Sequence, residues 1–156
     1  MSAAIFSPPD GLYTKWDIAL SVRYPLALSE MRWPSVPLGK RTTRPLARWG
    51  IECQAGWRSV VERLLDQLEA EIEAQPLDRR DAYRIVQIKE KLGRLTVYLA
   101  SKPTDAMWDA IEAASEQSTR VCEVCGEPGE LAERPTFLSV RCHAHANWRP
   151  WNRPPG

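Results

Sequence analysis

Nowhere in these 156 residues do eighteen apolar residues run together, and the opening stretch MSAAIFSPPD holds neither a basic residue nor a long apolar segment. From the first absence no membrane-spanning helix is expected and from the second no secretory leader, so a cytoplasmic protein without membrane contact is expected. Histidine is nearly missing as well: the two in the chain, His143 and His145, stand one residue apart near the end. Acid–base chemistry built on imidazole therefore has nowhere else to reside. An excess of charge of one sign is also lacking, since 21 Lys and Arg meet 20 Asp and Glu for a net of +1. A dedicated nucleic-acid binder would normally be basic. The near-neutral total hides an asymmetry, however. Residues 1–50 hold seven basic against three acidic residues, 51–119 nine against thirteen, and 120–156 five against four.

Residues 1–48 carry Pro8, Pro9, Pro25, Pro34, Pro37 and Pro45, a spacing that breaks helices across the second half of the stretch. A short helix fits near Thr14 to Val22, where Trp16, Ala19 and Leu20 share a face. The remainder is predicted to be an extended basic arm, with Arg32, Lys40, Arg41, Arg44 and Arg48 uninterrupted by acid and flanked by Trp33 and Trp49. Such an arm stays unfolded, docks on the acidic middle of its own chain, or reaches a partner.

Residues 49–118 carry the periodicity of a packed domain. Trp57, Val60, Val61, Leu64, Leu65, Leu68 and Ile72 fall on one helical stripe, opposite Arg58, Glu62, Asp66, Glu69 and Glu73. The helix is expected to end before Pro76. The segment YRIVQIKEKLGRLTVYLA reads as two strands joined by a tight turn at Lys91 to Gly93, with Leu95, Val97 and Leu99 alternating and Val86 and Ile88 on the same apolar face. A second helix begins near Thr104 or Asp105 and directs Met107, Trp108, Ile111 and Ala114 inward. The fold class is α+β: a helix, β-hairpin, helix core over 49–118, preceded by the arm and followed by a metal-binding module over 119–147 and a tail over 148–156.

Three of the four cysteines and both histidines lie in that module. Cys122 and Cys125 have C-x2-C spacing with Gly126 behind them, and sixteen residues later come Cys142 and His145 in C-x2-H spacing. This is the pattern of a two-knuckle structural zinc site, in which four ligands close the tetrahedron and leave no position for an activated water. His143 is the rival ligand, but its adjacency to Cys142 makes a shared ion difficult to reach. A disulfide between Cys122 and Cys125 is the metal-free alternative. A zinc deaminase is excluded because it needs a His-x-Glu upstream of its cysteines, and a nuclease of the His-Asn-His type would have His143 and Asn147 alone. Arg120 and Arg141 are placed to offset the charge of three thiolates. Cys53, isolated in WGIECQAGW, is read as core packing, with a reactive thiol ahead of the Trp57 helix as the alternative.

RYPLAL (23–28), WGIECQAGW (49–57), VQIKEKLGRLTVYL (86–99), TRVCEVCGEPGEL (119–131) and RCHAHA (141–146) together resemble the successive blocks of a group of small bacteriophage and prophage proteins. Those proteins read Gly-Ile-Glu-Cys-Gly-Asp-Gly-Trp where this chain has Gln54-Ala55 in place of Gly-Asp, and Arg-Phe where it has Thr96-Val97. The resemblance implies a mobile-element origin and structural Zn²⁺ on Cys122, Cys125, Cys142 and His145. It implies no reaction.

The expected function is accordingly non-enzymatic: a zinc-stabilised accessory protein that binds a host protein, with defence or transcription machinery as the target class. Its predicted contacts are Trp33, Arg41, Arg44 and Trp49 on the arm and Lys89, Lys91 and Arg94 at the hairpin, which the Glu52 to Trp57 turn is expected to approach. The alternative is nucleic-acid binding through the basic arm and the Trp148, Arg149, Trp151, Arg153 tail, which mix cations with stacking rings.

Overall fold

The computed structural model describes residues 13–31, 44–134 and 137–147. The fold is α+β: among the described residues, four α-helices pack with two separate two-stranded antiparallel sheets. Helix α1 (Lys15–Arg23) is started by a capping box: the Thr14 hydroxyl accepts from the Asp17 amide while the Asp17 carboxylate accepts from the Thr14 amide. The short α2 (Pro45–Trp49) has proline at its first position, where the missing N–H costs nothing.

The expected extended arm is thus folded over its described part. Leu20, Tyr24, Ala27, Leu28, Met31 and Leu46 all belong to the central core. Of the prolines read as breakers, Pro25 and Pro45 lie in the described residues and are accommodated at element ends. Beyond Pro25, the Glu69 carboxylate accepts hydrogen bonds from the amides of Leu26 and Ala27 at 2.9 and 2.8 Å. Asp17 is buried and accepts from the Ile51 amide at 3.1 Å, so α1 is tied to the start of the next block. Residues 32–43, with Trp33 and Arg41, lie outside the described residues, as does the tail from 148.

Helix α3 (Arg58–Glu73) is the central element. Val60, Val61, Leu64, Leu65, Leu68 and Ile72 are each 2 % exposed or less, and Trp57 just ahead of it is fully buried. Burial of such side chains contributes about 1.5–3 kcal/mol each. Helix α4 (Asp105–Ser118), capped by Thr104, packs along α3 and also along β2. It buries Met107, Ile111, Ala114 and Ser118, whereas Trp108 is 52 % exposed. The inward placement expected for Trp108 is therefore wrong by one position, because the 107, 111, 114, 118 stripe is complete without it.

Strands β1 (Ile85–Lys91) and β2 (Arg94–Leu99) form the expected hairpin around Leu92 and Gly93, both with positive φ of 52° and 77°. That pair of left-handed residues makes the two-residue turn that matches strand twist. A register shift between Ile85 and Gln87 corrects the expected inner face. Ile85 and Ile88 are fully buried and Val86 is displaced to partial exposure, as a β-bulge requires. The backbone of Glu52 lies alongside β1, donating to the Ile88 carbonyl and accepting from the Glu90 amide, each at 2.9 Å. A second hairpin, β3 (Glu130–Arg134) with β4 (Phe137–Arg141), fills the interval between the two cysteine motifs, and the sequence reading did not foresee it.

Candidate metal centre

Cys122 closes a turn in which its carbonyl accepts from the Gly126 amide at 2.9 Å and its own amide donates to Glu127 at 2.7 Å. Gly126 has φ of 82°, so a glycine is needed to complete the knuckle. At the end of β4, a 3-10 turn over His143–His145 folds back with the His145 amide donating to the Cys142 carbonyl at 3.1 Å. That reversal aims the His145 ring at the Cys142 thiol and leaves His143 exposed.

The four predicted ligands converge. One ligand atom from each of Cys122, Cys125, Cys142 and His145 lies within 4.8 Å of the others, an arrangement that can hold a metal ion. Sγ of Cys125 is 3.7 Å from Sγ of Cys142, and Nδ1 of His145 is 3.2 Å from Sγ of Cys142 and 3.8 Å from Sγ of Cys122. Cys122 is buried, which alone would raise its pKa. Backbone N–H groups of Cys142, Cys125 and Val124 hydrogen-bonded to its sulfur outweigh that and bring the thiol down to about 6. The fold therefore supports a thiolate at the position most shielded from water.

The block WGIECQAGW supplies the seat for this knuckle. The Gly56 amide donates to the Glu123 carbonyl at 2.7 Å, and a Cβ at Gly56 would stand 2.1 Å from the Cys122 carbonyl oxygen. The Trp57 indole Nε1 donates to the Val121 carbonyl at 2.9 Å. Glu123, between the two knuckle cysteines, is buried. Burial raises its carboxyl pKa against the opposing effects of the Gln54 amide and Arg141. Its Oε1 pairs with Arg141 Nη1 at 3.3 Å, both side chains being almost fully enclosed. Arg141 thus pairs with a buried carboxylate, and Arg120 pairs with Glu116 on the surface at 3.7 Å. Neither Glu123 nor the seating role of Gly56 was apparent in the sequence. A charged residue inside a C-x2-C turn reads as solvated until the burying partner is known.

Cys53 packs against the core, and burial, with Glu123 and Asp17 nearby, pushes its thiol pKa well up. That is the environment of a packed cysteine, not of a nucleophile.

The predicted partner contacts separate. Arg94 is taken up by the fold, its Nε donating to Ser115 Oγ at 3.2 Å and its Nη2 pairing with Glu116 at 3.4 Å. Lys89 lies 6.0 Å over the Tyr98 ring and Lys91 Nζ donates to the Tyr98 hydroxyl at 3.3 Å. Trp49 is 36 % exposed with the Arg48 guanidinium 4.7 Å over its ring, and Arg44 occupies the N-cap of α2. The expected approach of the Glu52 turn to the hairpin occurs through the backbone pairing of Glu52 beside Lys89.

Comparison with protein-family models, with curated proteins and with solved structures found no match to this chain. No described helix is long and apolar enough to cross a membrane.

Proposed function

We propose that Cys122, Cys125, Cys142 and His145 hold one structural Zn²⁺, and that the protein is a non-enzymatic accessory factor of a phage or prophage that binds a host protein in the cytoplasm. The observation that carries this reading is the closed four-ligand cluster seated on Gly56 and Trp57. Tetrahedral zinc with metal–sulfur bonds of about 2.3 Å has sulfur–sulfur edges of about 3.8 Å, which agrees with the 3.7 Å between Cys125 and Cys142. Three thiolates and one imidazole saturate such an ion, so its contribution is to hold the chain rather than to activate water. Thiolate-rich tetrahedral sites also discriminate against magnesium, calcium and manganese, which prefer oxygen. The phage origin rests on the sequence blocks described above, and defence or transcription machinery is the target class that such accessory proteins serve.

Metal analysis of protein purified without chelator tests the first part. One zinc per chain, lost in a Cys142→Ser variant, supports it, and metal-free folded protein overturns it. Affinity capture of the zinc-loaded chain from bacterial lysate, with and without nuclease, tests the second. A discrete protein retained after nuclease treatment supports a host-protein target. Capture abolished by nuclease replaces it with nucleic acid.

A further inference from the structure

The β3–β4 hairpin leaves one of its edges open. The Val140 carbonyl accepts from the Glu123 amide at 3.1 Å, so the backbone groups of Val140 point away from β3. In an antiparallel ladder the N–H and C=O of one residue point the same way, and opposed residues exchange both bonds or neither. Leu131, opposite Val140, therefore turns its N–H and C=O outward, and so does Glu133, opposite Leu138. Two residues before Leu131 the same edge is occupied, where the Gly129 amide donates to the Arg120 carbonyl at 2.9 Å. Beyond that point the outward groups of Leu131 and Glu133 meet no partner among the described residues.

An unpaired strand edge is a template for another strand. Apolar surface accompanies this one. By alternation Leu131, Glu133, Leu138 and Val140 share one face of the hairpin. Val140 is buried there, whereas Leu131 is 41 % and Leu138 36 % exposed.

We propose that β3 pairs antiparallel with β3 of a second copy of this chain, across a two-fold axis at Ala132, to give one continuous sheet in the order β4, β3, β3, β4. The register follows from the edge itself. Outward residues must meet outward residues, so a two-fold pairing can be centred on residue 131, 132 or 133. Centring on Leu131 would set Glu133 of the second copy opposite Gly129, where Arg120 already holds the edge. Centring on Glu133 would set Pro135 opposite Leu131, and proline has no N–H to give. Centring on Ala132 pairs Leu131 with Glu133 in both directions, each pair exchanging two hydrogen bonds, and sets Glu130 opposite Arg134 in both directions. The latter are the non-hydrogen-bonded positions, where opposed residues stand closest. With acid at one end and base at the other, β3 is its own complement in charge, which favours a second copy over a strand of uniform charge. The same register makes the Leu131 residues of the two copies diagonal neighbours at about 7–8 Å, on the face that carries Leu138. This interface lies beyond the host-protein reading and does not depend on it.

The test is sedimentation equilibrium of the full chain, purified without chelator, over a wide range of concentration. The parent chain should show a reversible monomer–dimer equilibrium. Glu133→Pro removes an outward N–H and no bond of the hairpin, at a kind of position where edge strands tolerate proline. It should weaken the dimer at least about tenfold, since the N–H is lost from both copies. Arg134→Glu sets acid opposite acid twice in each dimer and should weaken it about tenfold; adding Glu130→Arg should restore the parental affinity to within about threefold. Lys102→Glu, a charge reversal on an exposed loop elsewhere, should dimerise as the parent does. Circular dichroism and metal content establish that each variant is folded, and the charge exchange decides the matter if Glu133→Pro is not. A parent chain that stays monomeric throughout overturns the proposal. Parental dimerisation by both Glu133→Pro and Arg134→Glu places the contact elsewhere and overturns it as well, and so does a folded double variant that remains as weak as Arg134→Glu.

Discussion

Gly56→Ala is the sharpest test of how the metal centre is held. A Cβ at this position would lie 2.1 Å from the Cys122 carbonyl oxygen, 2.4 Å from the Glu123 carbonyl oxygen and 2.5 Å from the Glu123 carbonyl carbon. All three are backbone atoms, so no side chain can swing aside. Each is about an ångström or more inside ordinary contact, and relief requires the knuckle and the 54–57 turn to separate. Overpacking of this kind costs about 1–3 kcal/mol, and separation also weakens the 2.7 Å hydrogen bond from the Gly56 amide to Glu123, worth about 1 kcal/mol. The expected loss is about 3 kcal/mol, a fall in Tm of roughly 6–12 °C for a chain of this size. Metal binding and folding share one free energy, so apparent zinc affinity should fall by about two orders of magnitude. Urea unfolding of the zinc-loaded protein measures the first, and competition with a chromophoric chelator the second. Ala55→Gly, one residue earlier at an exposed position, is the control, with a loss below about 1 kcal/mol. If Gly56→Ala leaves both the urea midpoint and the zinc affinity unchanged, the knuckle is not seated on this turn and the reasoning fails.

Leu92→Asn should stabilise the protein by about 0.5–1 kcal/mol in the same urea assay, because Leu92 is 67 % exposed and holds a positive φ that asparagine tolerates better; a destabilised variant would contradict the turn. Arg141→Met should cost about 3–5 kcal/mol by leaving the Glu123 carboxylate buried without its cation, and a neutral result would show that the pair is dispensable. Tyr24 is almost fully buried, and burial, then its hydrogen bond to Asp66, raises its pKa to about 12. The folded state thus favours the neutral phenol. Its contribution is complete below pH 10 and is lost as pH rises from 10 towards 12, which ultraviolet titration of tyrosine alongside unfolding curves will detect. Cys53 should resist a thiol reagent in the native zinc-loaded protein and react on unfolding; rapid native labelling at Cys53 would restore the reactive reading.

The Cys/His cluster and α3 were legible in the sequence because each rests on a local rule. C-x2-C and C-x2-H spacings report one site, and the 57 to 72 stripe reports one helix face. The misread parts depend on contacts distant in sequence. Pro25 and Pro45 look like breakers until Glu69, more than forty residues beyond Pro25, takes the amides of Leu26 and Ala27 and Pro45 proves to be a helix start. Trp108 was assigned inward together with Met107, Ile111 and Ala114, although Met107 at the neighbouring position already completes the buried stripe. The β3–β4 hairpin was overlooked because Glu130, Glu133 and Arg134 give it the composition of a loop. Its strand character comes from pairing, with the Cys/His cluster at its base.

The position of the cluster at the base of that hairpin is what a structural metal would exploit. A two-stranded hairpin is marginal by itself, and this chain has two. The first is supported on both edges, by Glu52 and the Ala27 carbonyl on β1 and by Ser118 Oγ accepting from the Leu95 amide on β2. The second is held at different points. The Gly93 turn of the first hairpin rests against it, so closely that a Cβ there would stand 2.2 Å from Leu131 Cδ1. At its base, Glu123 donates a backbone hydrogen bond to Val140. A metal bound by Cys122 and Cys125 on one side and by Cys142 and His145 on the other would clamp the knuckle to the end of β4. The clamp also closes through Gly56 and Glu52 onto β1. The stretch 52–57 is therefore the shared support of both hairpins. Removal of the metal should loosen β3–β4 first and the outer hairpin only secondarily, an order that hydrogen exchange in the presence of a chelator would resolve. Simultaneous loss of protection in β1–β2 would mean that the metal braces the whole core.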